Sequence, residues 1–378
     1  MENSNWNSDK LGSVLEIKYG KDHKKLSEGS FPCLGSGGVM RYVDSYLYDD
    51  ESILIPRKGS LNNIMFQNSP FWTVDTMFWS KIDKSKVFPK YLFYQLTLID
   101  YENLNVGSAV PSLTVPVINE IEIQLPPLPE QKAIASVLSS LDDKIDLLHQ
   151  QNQTLEALAE TLFRQWFIEK AKEDWPIYKF KDIVKHVKPG TNFQPKRVNN
   201  GIPFLNVKNL NNGFIDLQNN TFITQEEYER VHKNWKPEVG DVLISRIGTL
   251  GLVATILERD LPIAVHYNMI NLKPKLIGTE FLYFFLKSNH FQEEYFSRAR
   301  QSVQEYLAIE DVEEIEVKLP LEFESFTLKE QQFIEFYNKI KNNFIQIQTL
   351  TQLRDTLLPK LMSGAVSLSN CGEVRVKV

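Results

Sequence analysis

The residues that come closest to a catalytic arrangement are Glu316 and Lys318, an acid and a lysine that alternate near a stretch of β-branched residues. Metal-dependent nucleases often combine acids with a lysine around Mg²⁺, which makes this pair worth testing against its context. A similar segment occurs earlier in the chain, but there the same positions hold Glu122 and Gln124. Because the lysine is missing from one copy and both segments alternate like strands, we interpret these residues as strand residues.

Other catalytic signatures are also missing from the sequence. Gly20–Asp22 does not continue into a phosphate-binding loop, and no Gly-x-Ser-x-Gly motif occurs. The single Pro-Pro pair, Pro126–Pro127, lies in a linker and not in the Pro-Pro turn with which amino-methyltransferases hold a base. The two cysteines, Cys33 and Cys371, and the six histidines form no metal-binding pair. We therefore predict a protein that is not an enzyme and that holds no metal and no cofactor of its own.

Charge is distributed unevenly along the chain. The net charge of -6 argues against a general affinity of the whole surface for nucleic acid. Between Lys179 and Lys208, however, seven Lys or Arg residues face one acid, Asp182, which leaves a net charge of +6. This segment is a candidate for local contact with phosphate.

The overall composition is that of a globular protein. The hydrophobic fraction is 42% and the charged fraction 24%, and a length of 378 residues favours two or three domains. No window approaches the roughly 18 consecutive apolar residues of a membrane span, and Met1–Asn5 lacks the features of a signal peptide. We expect a cytoplasmic protein.

Internal repetition is the most informative feature of the sequence. Ile121–Pro126 recurs as Ile315–Pro320, 194 residues later, and the order of the repeated segments is preserved. The other recurring pairs are Ile53–Leu61 with Val242–Leu250, Phe31–Leu34 with Ile202–Leu205, Tyr91–Tyr94 with Phe281–Phe284, and Glu130–Gln131 with Glu330–Gln331. The chain therefore holds two copies of one unit, a globular domain followed by a helix.

The globular part of each copy predicts an α+β domain. Short β-branched runs alternate with turn residues, and these runs indicate strands at Ser52–Pro56 and Asp241–Ser245. Glycine and asparagine tolerate positive φ and predict turns at Gly35–Gly38 and Asn209–Gly213. Short buried helices are expected at Tyr91–Ile99 and Phe281–Leu286.

Apolar residues at heptad spacing predict a long helix after each domain. From Glu130 to Ile168 such a helix would measure roughly 58 Å, and Pro359 should end or kink the second one. The first stripe consists of Ile134, Leu138, Leu141, Ile145, Leu148, Leu155, Leu162 and Trp166. The second consists of Phe333, Tyr337, Ile340, Phe344 and Ile347, followed by a stutter at Leu350 and Leu353.

Two helices with apolar stripes most simply pair with each other. We predict an antiparallel coiled coil, which would relate the two domains by a pseudo-twofold axis. DNA backbones share that symmetry. Its core would include Leu141, Ile145, Leu148, Leu155, Ile340, Phe344 and Ile347. Asn152 on this seam is either a solvated gap or a residue that fixes the register of the pair.

Several motifs resemble the specificity subunit of type I restriction-modification systems. The resemblance covers nearly the full length and is carried by Leu125–Gln131, Gly35–Gly38, Ile55–Ser60, Phe71–Thr76 and Leu357–Gly364. The second copy departs from the pattern because its linker, Pro320–Gln331, is longer and because it lacks Gly-Ser-Gly-Gly. This difference suggests a different subclass of recognition domain.

The resemblance implies a non-catalytic DNA-binding subunit. In that family two target-recognition domains each read half of a split DNA site, and paired helices set the spacing and dock two modification subunits. These subunits bind S-adenosylmethionine and methylate adenine, and restriction subunits that use ATP and Mg²⁺ cut unmethylated DNA. The implied parts are a first recognition domain at 1–128, a helical spacer at 129–170, a second recognition domain at 171–328, a second spacer at 329–364 and a tail at 365–378.

Side chains with paired donors and acceptors in the candidate loops are the expected DNA contacts. The first domain offers Ser36, Arg41, Arg57, Lys58, Ser60, Asn62 and Asn63. The second offers Lys196, Arg197, Asn206, Lys208, Asn209, Arg246 and Thr249. Each of these residues has the alternative of a solvated turn, and Tyr267 and Asn268 are either part of the interface or core residues. Many of the contacts should go to phosphate.

An apolar cluster near the end of the first helix is a candidate docking surface for a modification subunit. Phe163, Trp166 and Phe167 form it, and burial inside this chain is the alternative. A different class of function also remains open. The chain could be a coiled-coil scaffold whose two domains bind proteins, and the basic segment favours the DNA-binding hypothesis over it.

Overall fold

The computed structural model describes residues 6–107, 110–218, 220–300, 305–320, 324–366 and 368. It separates into two compact units, Met1–Ile145 with Thr349–Val378 and Asp146–Gln348. Each of the two long helices contributes one part to each unit. Within the described ranges, no helix has both the length and the apolar character that a membrane crossing requires.

Helices and strands alternate through both units. The helices are α1 (Pro89–Leu96), α2 (Val115–Asn119), α3 (Leu128–Phe163), α4 (Phe180–Ile183), α5 (Gln225–Val231), α6 (Thr279–Lys287), α7 (Asn289–Ser297), α8 (Ile309–Glu313) and α9 (Glu324–Met362). The strands up to α3 are β1 (Asn7–Lys10), β2 (Leu15–Tyr19), β3 (Phe31–Gly35), β4 (Gly38–Val43), β5 (Ser52–Pro56), β6 (Met65–Gln67), β7 (Trp72–Thr73), β8 (Met77–Ile82) and β9 (Glu122–Leu125). The later strands are β10 (Ile177–Lys179), β11 (Val184–Pro189), β12 (Arg197–Val198), β13 (Ile202–Leu205), β14 (Leu210–Asn211), β15 (Gly213–Ile215), β16 (Thr221–Ile223), β17 (Val242–Ser245), β18 (Val253–Thr255), β19 (Ala264–Val265), β20 (Met269–Pro274) and β21 (Glu316–Lys318).

The first unit contains three small sheets. The largest has the strand order β2-β8-β5-β6 and is antiparallel throughout. Its central strand β5 is buried along its whole length, as its β-branched composition predicts. A second sheet, β4-β3-β7, pairs β3 with β7 in parallel, and β1 pairs with β9.

The second unit repeats this strand order with additions. Its main sheet runs β11-β20-β17-β18-β15-β14, in which the first four strands take the places of β2, β8, β5 and β6. The parallel pair β13 with β19 corresponds to β3 with β7, and β10 with β21 corresponds to β1 with β9. The predicted mixed α/β fold with two long helices is confirmed, and the repeat seen in the sequence has a counterpart in the topology.

The main difference between the copies lies in the segment that leads to β5 in the first unit and to its counterpart β17 in the second. In the first unit, 36–51 connects β3 to β5 and contains β4. In the second unit, 206–241 connects β13 to β17 and contains β14, β15, β16 and α5. The turn predicted at Asn209–Gly213 is present, with Asn212 at φ 49° and Gly213 at φ 83°. The second domain is therefore the larger of the two because of this insertion.

Helix α3 begins directly after the Pro126–Pro127 linker and places a proline in its first turn, where a missing N–H costs nothing. Its 36 residues correspond to about 54 Å. A π-helical turn, Arg164–Glu169, follows it. Within the first unit, Ile134 and Leu138 of α3 join the apolar cluster that also contains Leu361 and Met362 of α9.

Helix α9 differs from its sequence-based boundaries at both ends. It begins at Glu324 and not at 329, because Phe326 is buried and packs against Phe281 at 5.0 Å between ring centroids. It does not end at Pro359 but continues to Met362. A proline so close to the carboxyl end removes one N–H of the last turn, and Ser363 N still donates to Pro359 O at 3.0 Å.

One equivalence between the copies differs from the sequence alignment by one residue. Gln131 Oε1 accepts a hydrogen bond from Phe88 N at 2.8 Å, and Glu330 Oε1 accepts one from Gly278 N at 2.8 Å. By these hydrogen bonds the structural equivalent of Gln131 is Glu330, whereas the sequence comparison paired Gln131 with Gln331. The two apolar stripes of the helices are offset by the same 199 residues, from Ile134 to Phe333.

The predicted stripe residues are buried to different degrees. Ile145, Leu148, Ile340, Phe344 and Ile347 are buried, while Leu141 and Leu155 are half-buried. In the second unit, Phe344 stacks on Phe214 of β15 with a centroid distance of 4.6 Å. The α9 stripe therefore also serves as part of the core of its own globular domain.

Candidate nucleic-acid interface

The loop 57–64 between β5 and β6 holds five of the seven residues predicted to contact DNA in the first domain, and we call it the recognition loop. Backbone hydrogen bonds anchor it. Arg57 N donates to Thr76 O at 2.8 Å, and Arg57 O accepts from Leu113 N at 3.0 Å. Gly59 N donates to Pro111 O at 3.2 Å. These bonds do not depend on side-chain identity, so the loop keeps its position whichever side chains it presents.

The second domain anchors its loop after β17 through the equivalent atoms. Arg246 N donates to Asn268 O at 2.9 Å, and Arg246 O accepts from Leu307 N at 2.9 Å. Gly248 N donates to Glu305 O at 3.3 Å. Both copies therefore present a loop on the same backbone frame, which connects the repeat in the sequence to a repeated site.

The recognition loop of the first domain contacts the hairpin that β3 and β4 form around Ser36–Gly37. Asn63 Nδ2 donates to Ser36 O at 2.7 Å, and a side-chain carbon added at Gly59 would lie 3.0 Å from Ser36 Oγ. Lys58 and Ser60 are exposed on the same loop. Four of the seven residues predicted in this domain, Ser36, Lys58, Ser60 and Asn63, are thus brought together.

The other three predicted residues of this domain are held by internal contacts. Asn62 Oδ1 accepts from Tyr101 N at 2.8 Å. Arg41 donates to His23 O at 2.7 Å and to Leu26 O at 2.8 Å. Arg57 donates to Asp75 O at 3.1 Å and lies over the Tyr19 ring at 5.4 Å. The side chains of Asn62, Arg41 and Arg57 therefore make contacts inside the domain.

In the second domain a groove of about 510 Å³ lies beside the recognition loop. Lys208 and Thr249, two of the predicted contacts, line it together with His266, Tyr267 and Asn268. The sequence left Tyr267 and Asn268 open between interface and core, and both are half-buried at the groove wall. Burial lowers the pKa of His266, and nearby Arg197 lowers it further.

The remaining predicted residues of the second domain have different surroundings. Lys196 is exposed, and Arg197 stacks on Phe204 at 4.2 Å while donating to Thr221 Oγ1 at 3.1 Å. Arg246 is half-buried, its burial lowers its pKa, and within the described ranges its Nε has no hydrogen-bond partner.

Two predicted asparagines form a local cap and not an open surface. Asn209 is 2% exposed, its Oδ1 accepts from Asn206 N at 2.8 Å, and its Nδ2 donates to Asp216 O at 3.0 Å. Both ends of the Asn209 amide are therefore used inside the domain. Burial of polar groups of this kind requires such partners, which a sequence pattern does not reveal.

The sequence reasoning missed a basic segment in the first domain. Residues 18–25 contain Lys18, Lys21, Lys24 and Lys25 against one acid, Asp22. The charge count that identified the Lys179–Lys208 segment would have found it over a shorter window. The described residues contain no group of three metal-ligating side chains.

Comparison with known families identifies the class of the protein. The family model of the type I restriction modification DNA specificity domain matches residues 3–157 and 172–355. The chain belongs to this family. The two matched ranges correspond to the two copies of the repeat, and members of the family confer DNA specificity without a catalytic centre of their own. The predicted family and the predicted role as a non-catalytic DNA specificity subunit are confirmed.

Curated relatives carry the same description. The chain is 25% identical over 347 residues to the type I restriction enzyme MjaIX specificity subunit of Methanocaldococcus jannaschii, covering 84% of this chain and 78% of that protein. It is also 25% identical over 411 residues to the MjaVIII specificity subunit of the same organism, covering 98% of this chain and 93% of that protein.

A solved structure supports the fold. The S subunit of a type I restriction-modification system from M. genitalium superposes with a TM-score of 0.63 and 20% sequence identity. The superposition covers 96% of this chain and 97% of that one. The tandem arrangement of mixed domains and long helices is thus a known architecture of this family.

The apolar cluster predicted to dock a partner is mostly internal. Phe163 and Phe167 are each 2% exposed and pack in the core of the second unit, which corresponds to the burial alternative. Trp166 is half-buried, and the ammonium group of Lys329 lies 5.7 Å from the centre of its ring. The aromatic residues fill the core because α9 and the globular domain both pack on this end of α3.

Proposed function

We propose that this chain recognises a bipartite DNA site, with each domain reading one half, and directs adenine methylation and restriction by partner subunits. The observation that carries the proposal is the duplicated loop frame, in which Arg57 and Arg246 make equivalent backbone hydrogen bonds in their two domains. Two copies of one frame supply two reading surfaces on a single chain.

The side chains on the two frames differ, which favours two unrelated half-sites. Lys58 and Ser60 of the first loop correspond in sequence to Ile247 and Thr249 of the second. The lysine can donate a hydrogen bond to the edge of a base, whereas the isoleucine presents an apolar surface to it. The target should therefore be non-palindromic.

We further propose that α3 and α9 pair as an antiparallel coiled coil that sets the spacing between the half-sites. Three contacts within the units support this pairing. Arg354 donates to Asp142 at 2.9 Å, Asn343 donates to Asn152 at 2.8 Å, and the Phe163 and Phe333 rings are 6.5 Å apart. Residue numbers rise along α3 as they fall along α9, which is the sense of an antiparallel pair.

The contact at Asn152 bears on its role in the seam. Asn343 is 2% exposed, and its Nδ2 donates to Oδ1 of the half-buried Asn152, while Asn152 Nδ2 donates to Ile340 O of α9 at 3.5 Å. In a solvated gap both amides would bond to water instead. Hydrogen bonds of Asn152 across the seam favour the hypothesis that it fixes the register.

The partners belong to the proposal and follow from family membership. They are double-stranded DNA, two modification subunits that bind S-adenosylmethionine, and restriction subunits that use ATP and Mg²⁺. The proposed division of the chain is 1–128 and 171–328 for recognition, 129–170 and 329–364 for spacing, and 365–378 for the tail, most of which lies outside the described residues.

The decisive experiment is single-molecule sequencing of DNA from cells that coexpress this chain with its modification subunits. We expect methylated adenines in one motif with two short blocks separated by unspecified bases. Ser60→Ala should relax only one block, and Thr249→Ala, at the equivalent position, should relax only the other. Methylation without a bipartite motif contradicts the proposal.

The scaffold hypothesis is tested by charge reversal. Changing Lys196 and Arg197 to Glu should abolish DNA binding by the assembled complex and leave capture of the modification subunits intact. If the domains bind proteins instead, the double variant retains whatever DNA affinity the complex has. Titration of labelled duplex at 50 and 200 mM salt provides the measurement.

A further inference from the structure

The hairpin β3–β4 of the first domain carries apolar side chains in the open. Val39 is 52% exposed, Met40 57% and Tyr42 54%, although all three belong to a regular strand. Strand β4 lies at the edge of its sheet and, within the residues that the structure describes, pairs only with β3. Exposed apolar residues on an unprotected edge strand are a liability that proteins normally avoid.

A β-bulge lies within this exposed stretch. The register pairs Cys33 with Arg41 and Leu34 with Val39, which leaves Met40 as an extra residue on β4. A bulge bends its strand and redirects the side chains around it, and such bulges are frequent next to functional sites. The hairpin tip is Ser36–Gly37, and the following Gly38 has a φ of 111°, a conformation that favours glycine.

A group of lysines lies against the same hairpin. Arg41, on β4, donates to the backbone carbonyls of His23 and Leu26 and so attaches the loop after β2 to the strand. Lys21, Lys24 and Lys25 in and around this loop are exposed, and within the described ranges they form no ion pair. Arg41 therefore acts as a positioning residue that attaches the lysine-bearing loop to the strand that carries the apolar residues.

The hairpin is also continuous with the recognition loop of its domain. Asn63 of that loop donates to Ser36 O at the hairpin tip. The hairpin is thus bonded both to the recognition loop and to the loop that carries the lysines. A protein partner would have to cover lysines that form no ion pair with any acid among the described residues, whereas a DNA duplex satisfies them with phosphates.

We propose that the β3–β4 hairpin is a base-reading ribbon, in which Val39, Met40 and Tyr42 contact base edges in the major groove while Lys21, Lys24 and Lys25 contact the flanking phosphates. The inference rests on the proposed function and adds which element of the first domain reads its half-site. The major groove admits a two-stranded ribbon. Its apolar feature is the C5-methyl group of thymine, so the half-site of the first domain should contain at least one thymine read by its methyl group.

Removal of thymine methyl groups tests the proposal with the native complex of this chain and its modification subunits. Each thymine in the first half-site is replaced in turn by deoxyuridine, which removes only the methyl group. At one or more positions the affinity should fall about fourfold, the effect of one buried methyl group. Replacements in the spacer should have no effect, and equal affinity for every substituted first half-site overturns the proposal.

A variant identifies the side chains involved. In Val39→Ala/Met40→Ala the effect of deoxyuridine should disappear, because the methyl group no longer has an apolar partner. Leu98→Ala, which truncates another exposed apolar residue of the same unit, serves as the matched control and should keep the effect. A deoxyuridine effect that persists unchanged in the double variant overturns the assignment to the hairpin.

Other outcomes separate this inference from the proposed function. A native complex with no bipartite methylation motif contradicts both. A native bipartite motif that is unchanged in Val39→Ala/Met40→Ala, with weaker capture of the modification subunit, identifies the patch as a protein contact and overturns only the inference.

For the lysines, Lys21→Ala/Lys24→Ala/Lys25→Ala should lower the slope of log affinity against log salt by up to about 3, and an unchanged slope contradicts their phosphate contacts.

Discussion

The two recognition domains share a backbone frame and differ in the surface that they build on it. In the first, the Asn63 to Ser36 hydrogen bond joins the recognition loop to a short hairpin with exposed apolar residues. In the second, the corresponding region is an open groove lined by Lys208, Thr249 and Asn268. Duplicated domains can therefore acquire different specificities by changing what lies between fixed anchor points.

The anchor points tolerate this divergence because they use backbone atoms. The parallel pairing of β3 with β7 recurs as β13 with β19, and the loop bonds of Arg57 recur at Arg246. Backbone hydrogen bonds survive side-chain replacement, and the insertion at 206–241 enters between two strands whose positions are already fixed. Specificity can change without loss of the fold.

The largest expected difference between the domains is their response to acid. Among the described residues His232, in the second domain, is the only buried histidine. Its Nε2 accepts from Val265 N at 3.3 Å, and burial lowers its pKa to about 4. In the unfolded chain His232 takes up a proton below about pH 6.5, whereas in the folded chain it does so only near pH 4. The free energy of unfolding is therefore highest above pH 6.5 and falls by about 3 kcal/mol as the pH is lowered to 4.

Urea unfolding between pH 7.5 and pH 5 measures this effect. His232→Gln, which does not titrate, should remove the largest part of the dependence between pH 6.5 and 5, while His186 and His266, whose pKa burial also lowers, retain the rest. Asp241 and Asp260 act in the opposite direction closer to pH 4, because burial raises the pKa of each. A native second domain that is equally stable at pH 7.5 and pH 5 rules out the buried neutral state of His232.

Charge reversal compares the basic segments of the two domains. Lys24→Glu/Lys25→Glu and Lys196→Glu/Arg197→Glu should each weaken DNA binding about 100-fold, or about 2.7 kcal/mol, near 0.1 M salt. Lys132→Glu, on exposed α3 surface, should have a much smaller effect. If only the second-domain variant loses affinity in a duplex titration, the lysines of the first domain are not phosphate contacts.

The helix contacts of the two units should also differ in strength. Asn343→Ala removes a buried amide together with its hydrogen bond to Asn152 and should cost about 1 to 2 kcal/mol, whereas Arg354→Ala breaks a partly exposed ion pair worth about 1 kcal/mol or less. Asn342→Ala, at the exposed neighbouring position, is the control. Thermal unfolding that ranks Asn342→Ala with Asn343→Ala contradicts the register role.

The smallest difference concerns two equivalent glycines. Gly59 has a φ of 92° and Gly248 a φ of 81°, so an alanine at either position should cost about 1 kcal/mol. At Gly59 the new carbon would also lie 3.0 Å from Ser36 Oγ, while at Gly248 it meets open space. Gly59→Ala should therefore be the more destabilising by a few tenths of a kcal/mol, and the reverse order in urea titrations would show that the loops are not equivalent.

Much of the fold could be predicted because it rests on local or repeated patterns. The strand Ser52–Pro56, the turn at Asn212 and the start of α3 near Leu128 follow from β-branched runs, from residues that accept positive φ and from a proline linker. The residue at which α9 ends could not be predicted, because the sequence does not show whether a proline lies in the last turn of a helix or in its interior.

The candidate site was predicted only in part. The loops were found because Arg57 and Arg246 recur at the same place in two copies, but the same residue types also occur as caps. Asn209 is buried by its bonds to Asn206 and Asp216, and Arg41 is held by two carbonyls. No sequence pattern predicted that Val39 and Met40 would be exposed, because their exposure accompanies a bulge in the pairing of β3 with β4.

The sequence by itself determined the duplication, the mixed domains, the two long helices and the family, because each is written in periodicity or in motifs that need no knowledge of distant neighbours. Only the tertiary structure decided which polar residues of the loops are committed to internal bonds, and that Phe163 and Phe167 belong to a core. Burial depends on what packs against a residue from elsewhere in the chain, and no local pattern contains that information.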